Sequence, residues 1–219
     1  MFVGHYAVSF AVKSANRTIP LWILFLAVQL VDVFWAILVL TGIEKVRIVP
    51  GITATNPLDL YSMPYTHSLV AAILWSVFGY LIYRYGFKPN SKAALLVGLG
   101  VLSHWFLDLI VHRPDLQIYD NTFKAGFGLW NYPVIAFALE ALLLIGGLVL
   151  YLRSSRPVSN VGKYGPAVFV ALLILVQAGT NWGSPPSSPN QVAVTALTAY
   201  LGFAGIIYWI ERQRREDEN

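Results

Sequence analysis

An all-α, polytopic membrane helix bundle is the fold class this sequence predicts, with about six transmembrane helices and an N-terminal helix inserted halfway. Two observations lead there. Of 219 residues, 57% are hydrophobic and 12% charged, with a mean hydropathy of +0.61, whereas soluble domains carry about 25% charged residues. The apolar residues are also gathered into runs of about 20, the length a helix needs to cross a ~30 Å hydrocarbon core.

Taken in order, Phe2–Val12 is too short to span and is closed by Lys13, Arg17 and Pro20, so it reads as a half-inserted helix. Five full runs follow: Leu21–Gly42, His67–Tyr85, Ala93–His112, Tyr132–Leu152 and Tyr164–Trp182. A sixth, Val192–Ile210, ends at the charged stretch Glu211–Asn219. We expect a single transmembrane domain over residues 1–211 and a charged cytoplasmic tail over 212–219. Seven Trp and twelve Tyr suit two water–lipid interfaces. Met1–Val12 lacks the basic start and small-residue cleavage pattern of a signal peptide. No repeat period is visible, which disfavours an inverted-repeat transporter.

If six spans alternate, one side receives Lys13, Arg17, Arg84, Lys88, Lys92, Arg153, Arg156, Lys163, Arg212, Arg214 and Arg215, and the other only Lys45, Arg47, Arg113 and Lys124. The positive-inside rule then puts both termini in the cytoplasm, and a bacterial cytoplasmic (inner) membrane is the expected location. Exterior loops would be Ile43–Thr66, Arg113–Asn131 and Gly183–Gln191, the last an uncharged Pro/Ser-rich stretch that reads as a stiff turn and not a binding surface. The net charge of +4 follows from this topology. Its basic residues are scattered, so no nucleic-acid partner is expected. With no cysteine, disulfides and thiolate metal sites are excluded.

The chemistry concentrates in few residues. The four histidines are His5, His67, His104 and His112, and Asp32 and Asp108 lie within spans. SHWFLDLIVH sets His104, Asp108 and His112 at successive i+4 steps, on one helix face and about 6 Å apart in rise. Rise per residue puts Asp32 roughly 16 Å from the cytoplasmic edge, His104 roughly 12 Å below the opposite face and His5 roughly 12 Å into the membrane. His67 and His112 fall at the exterior mouth, so all six side chains can meet in the exterior half of the bundle. A carboxylate in hydrocarbon is costly unless paired, protonated or liganded. No Lys or Arg lies at that depth to neutralise these two, so a metal cation would complete the set. Imidazole with carboxylate suits Zn²⁺, Mn²⁺ or Fe²⁺ better than Mg²⁺ or Ca²⁺. Six ligands exceed the needs of one tetrahedral ion, so one or two divalent ions are expected, Zn foremost.

GHYAVSF with His5, QLVDVFW with Asp32, THSL with His67 and the run SHWFLDLIVHRPD resemble the YdjM-like family of predicted membrane-bound metal-dependent hydrolases. The ligand order is also similar to that of the soluble, all-helical zinc-dependent phospholipases C and related fungal nucleases. The likeness covers the first half of the chain and, more loosely, GLWNYP from Gly128 to Pro133. It implies that His5, Asp32, His67, His104, Asp108 and His112 are metal ligands. The soluble enzymes complete a third metal with a further His-x-x-x-Glu pair and use their mature N-terminal amine as a ligand. This chain has no histidine after His112, so the resemblance implies two metals at most.

The leading expectation is therefore a membrane hydrolase that cleaves a lipid-linked phosphoester with metal-activated water, with membrane lipids and that substrate as its partners. Candidate catalytic residues are Asp108, Glu140 and Arg113. Glu140, alone in the fourth span, reads equally as a general base and as a protonated helix-packing group. Arg113 would meet a phosphate at the mouth or snorkel at the interface, Asp115 would orient His112, and Trp130 and Asn131 would shape the entrance. Two other functions use the same cluster: a divalent-metal or proton transporter, and a structural or regulatory subunit fastened by polar contacts.

Overall fold

The computed structural model describes residues 1–87 and 90–216. Lys88 and the end of the tail, 217–219, lie outside the described residues. The described residues form eight α-helices: α1 His5–Ala15, α2 Leu21–Val28, α3 Leu30–Leu40, α4 Leu69–Gly86, α5 Ser91–Val111, α6 Pro133–Arg153, α7 Asn160–Trp182 and α8 Pro189–Glu211. The last five are long and apolar enough to cross a membrane, and α2 with α3 forms a bent pair that together passes the same test, as a broken span or a re-entrant loop. This is a polytopic helix bundle.

Helix starts follow local chemistry. The Ser68, Asn90, Ser159 and Ser188 side chains accept from Ala71, Ala93, Gly162 and Gln191 N–H, each taking a donor the first turn cannot satisfy. Pro133 and Pro189 open α6 and α8, where their missing N–H costs nothing. Pro166 inside α7 leaves the Gly162 carbonyl free, and Arg214 Nη1 donates to it at 2.5 Å.

One expectation changes: the run Leu21–Gly42 is not one straight helix, since α2 and α3 meet at Gln29 with a bend of 52°. The N-terminal helix α1 is enclosed by α2, α5 and α6, with Val3, Tyr6 and Phe10 fully buried. Its fit depends on Gly147 of α6, where a Cβ would stand 2.7 Å from the Ala7 carbonyl oxygen. α4 pairs with α5, α8 packs on α2 and α3, and α7 closes against α6. An apolar core including Leu24, Phe25, Val97, Leu144, Phe169 and Ile207 fills the bundle on the side away from the long loops.

The loops carry three small antiparallel pairs among the described residues: β1 Lys45–Ile48 with β2 Leu58–Ser62, β3 Leu116–Gln117 with β4 Lys124–Ala125, and β5 Ser155–Pro157 with β6 Arg214–Glu216. The first two lie over the cluster end of the bundle. The third ties the stretch after α8 to the α6–α7 turn.

Candidate metal centre

Four elements deliver the six side chains to one place. Asp108 is the hub: His5 Nε2 lies 3.1 Å from its Oδ1, and Nε2 of His104, His112 and His67 lie 3.2, 3.6 and 3.7 Å from its Oδ2. Asp32 stands opposite, with Oδ1 at 3.1 Å from His67 Nε2 and 3.6 Å from His104 Nε2. His5, His104 and Asp108 form one group able to hold a metal ion, and Asp32, His67 and His104 another. The i+4 spacing of His104, Asp108 and His112 does place them together, while the break at Gln29 brings in Asp32.

The imidazoles are oriented from behind. His104 Nδ1 is 2.7 Å from the Val28 carbonyl, an acceptor only, so Nδ1 carries the proton. That carbonyl is available because the α2–α3 break interrupts the helical ladder beside it. His112 Nδ1 meets Asp115 Oδ1 at 2.8 Å. His67 Nδ1 meets Thr66 Oγ1 at 2.7 Å, and that hydroxyl donates onward to Glu44 Oε2 at 2.6 Å. Glu44 Oε1 also accepts from Tyr65 and Thr66 N–H. Burial pushes the Glu44 carboxyl above the ordinary carboxylate range, against these donors, which favour its charged form.

With Nδ1–H spent outward, Nε2 of these three rings presents a lone pair to carboxylate oxygens. His104 Nε2 is buried without a hydrogen-bond partner. Protons on every ring are a poor remedy, since His5 and His104 stack at 3.9 Å with planes 6° apart and would bring two imidazoliums face to face. The arrangement has the outer hydrogen bonds that orient metal-ligating histidines.

Several residues occupy different roles from those read in sequence. Glu140 Oε2 accepts from Phe2 and Gly4 N–H at 2.8 and 3.1 Å, and Gln177 donates to Oε1 at 3.3 Å. It thus anchors the residues that open α1 and fixes His5, and it also lines the cavity beside the cluster. Arg113 does not reach into that cavity: Asp59 and Asp115 engage its guanidinium at 2.5 and 3.1 Å, the first also held by Arg47. It belongs to a chain of charges behind His112. Trp130 lines the cavity and packs on His112 with ring centroids 4.2 Å apart, whereas Asn131 does not line it. The amino group of Met1 contacts Asp108 Oδ1.

Tyr200 of α8 was not singled out from sequence, yet its hydroxyl donates to Asp32 Oδ2 at 2.8 Å. A tyrosine in an apolar run reads as an interface residue, and only its depth in the helix distinguishes it. Glu44 carries no sequence signal for its place behind His67, since 22 residues separate it from Thr66.

The cavity measures about 670 Å³ and reaches Asp32, His67, Asp108 and His112 from the loop end. Its walls include the 50–58 loop, α7, α8 and the turn Gly183–Pro186. The Pro/Ser turn expected to be no binding surface therefore forms part of the wall. Among the described residues no Lys or Arg lines this cavity. No protein-family model matches the chain, and no curated protein or solved structure matches it significantly.

Proposed function

We propose that this protein is an integral membrane, metal-dependent hydrolase that cleaves a lipid-linked phosphoester, with His5, Asp32, His67, His104, Asp108 and His112 holding one or two zinc ions. The single observation that carries this reading is the convergence of three Nε2 lone pairs, fixed by Nδ1 hydrogen bonds, on the buried Asp108 and the half-buried Asp32. Asp108 would be the central ligand of such a site, because Oδ1 faces His5 and Oδ2 faces the other three imidazoles. When bound, such ions lower the pKa of water and stabilise the oxygens of a phosphoryl group. The chain's own residues do the positioning. Thr66, Asp115 and the Val28 carbonyl set the rings, Glu140 sets α1, and Tyr200 restrains Asp32.

Phosphoester cleavage comes from the resemblance in residue order to membrane-bound hydrolases and zinc phospholipases. It is supported by a 670 Å³ cavity that adjoins the cluster and that no Lys or Arg lines among the described residues, the Met1 amino group being engaged by Asp108. Transport would need a polar route onward, and beyond the cluster Phe10, Phe25, Phe169 and Phe203 pack together instead. Elemental analysis of the purified protein, with a panel of phospholipid and isoprenoid-phosphate substrates, tests the reading. Bound zinc with hydrolysis lost in His104→Ala is expected. Metal-free protein whose stability ignores chelators would sink it, and metal uptake into vesicles without hydrolysis would turn it toward transport.

A further inference from the structure

The cavity has a side as well as a mouth. Val176, Gly179 and Thr180 of α7 line it from one wall, and Thr195, Ala196 and Ala199 of α8 from the other. Each trio lies on one helix face. None of the six is larger than valine. Toward the opposite end the same helices close: the Phe169 and Phe203 rings are 5.9 Å apart, and a Cβ at Gly165 would sit 3.5 Å from Ile210. The facing residues are therefore small beside the cluster and bulky and in contact at the far end. Gly179, Thr180 and Thr195 border the cavity and are exposed. A Cβ at Gly179 would meet nothing within 4 Å. Val176 and Gly179 lie roughly 9 and 5 Å inside the end of α7, and α7 and α8 are both long and apolar enough to cross a membrane.

We propose that the cavity opens sideways into the membrane between α7 and α8, and that its occupant is a lipid whose hydrocarbon chain lies in this cleft while its polar head reaches toward Asp32 and Asp108. Calling that lipid a substrate rests on the hydrolase reading; the cleft itself does not. The head would meet the amide and hydroxyl groups of Gln177, Asn181 and Thr195, with no cationic side chain among the described lining residues. A water-soluble substrate would need no gap between two spans.

The chain has no cysteine, so single-cysteine labelling is clean. Ala196→Cys on the cleft wall, Val194→Cys on the exposed side of α8 and Ala204→Cys in the core would each carry a fluorophore in phosphatidylcholine vesicles, quenched by acyl-brominated phosphatidylcholine or by aqueous iodide. Brominated lipid should quench the label at 196 to a level comparable with that at 194 and well above that at 204. Gly179→Phe, or Thr195→Phe from the facing wall, should remove most of the signal at 196. Quenching at 196 by iodide alone, with 194 still quenched by lipid, overturns the proposal. The readout needs neither metal nor turnover, so metal-free, inactive protein that still shows lipid quenching would refute the hydrolase and leave the cleft standing.

Discussion

Buried charge is handled in opposite ways at the two ends of this bundle. Away from the loops, Lys13 Nζ donates to the Arg17 and Ile19 carbonyls at 2.6 and 3.0 Å and to Glu211 Oε1 at 2.8 Å. An ammonium has three donors, and all three are used. Glu211 in turn accepts from Leu21 N–H through both oxygens, capping α2. Charge and hydrogen bonds close on themselves there. At the loop end, the Met1 amino group meets Asp108, and the two carboxylates otherwise face imidazole lone pairs whose rings are held by outward hydrogen bonds. One end is complete as protein. The other has the polarity of a site that takes a cation.

Substitutions at the hubs should separate the two ends most sharply. Asp108→Ala removes the carboxylate shared by four imidazoles and should abolish stoichiometric metal, read by elemental analysis, together with any chelator effect on thermal stability. Lys13→Met should leave metal content intact and destabilise the fold by about 3 kcal/mol, the low end for breaking a buried pair because Glu211 keeps partial solvent contact. Thermal or denaturant unfolding in detergent checks this, and Lys13→Met with Glu211→Gln should recover part of the loss. Equal metal loss in both single variants would erase the contrast.

The sequence shows the closed end less well than the open one. Lys13 reads as a topology charge, because its pairing with a residue 198 positions away leaves no local pattern. The spans themselves are legible from apolar length: Ala93–His112 is read against α5 at Ser91–Val111. The i+4 step of His104, Asp108 and His112 is a local signal and places those three correctly. What stays hidden is set by tertiary structure. LWILFLAVQLVDVFW is apolar nearly throughout, so periodicity gives no sign of the break at Gln29 that frees a carbonyl for His104. Arg113 looks like a substrate cation until the β1–β2 hairpin presents Asp59 to it. Glu140 gains its anchoring role only when α1 arrives across Gly147.

Smaller effects should come from groups one bond behind the ligands, and they sharpen the comparison because a closed ion pair has no such outer layer to tune. Asp115→Asn keeps the shape but weakens the acceptor on His112 Nδ1, and should cost about 10–100-fold in metal affinity, measured by competition with a chromophoric chelator. Tyr200→Phe should do less. It deletes one hydrogen bond to Asp32 Oδ2, while Oδ1 still faces His67 and His104. A hydrogen bond to a charged group is worth about 1.5–3 kcal/mol, and its loss acts on two states at once. Without metal, an under-solvated Asp32 destabilises the fold; with metal, the ion itself compensates the carboxylate. The stability lost in Tyr200→Phe should therefore be larger in chelator than in saturating zinc, a difference that unfolding curves in the two conditions would resolve. An equal loss in both would mean that Asp32 is not neutralised by a metal, and that the open end is closed by protons after all.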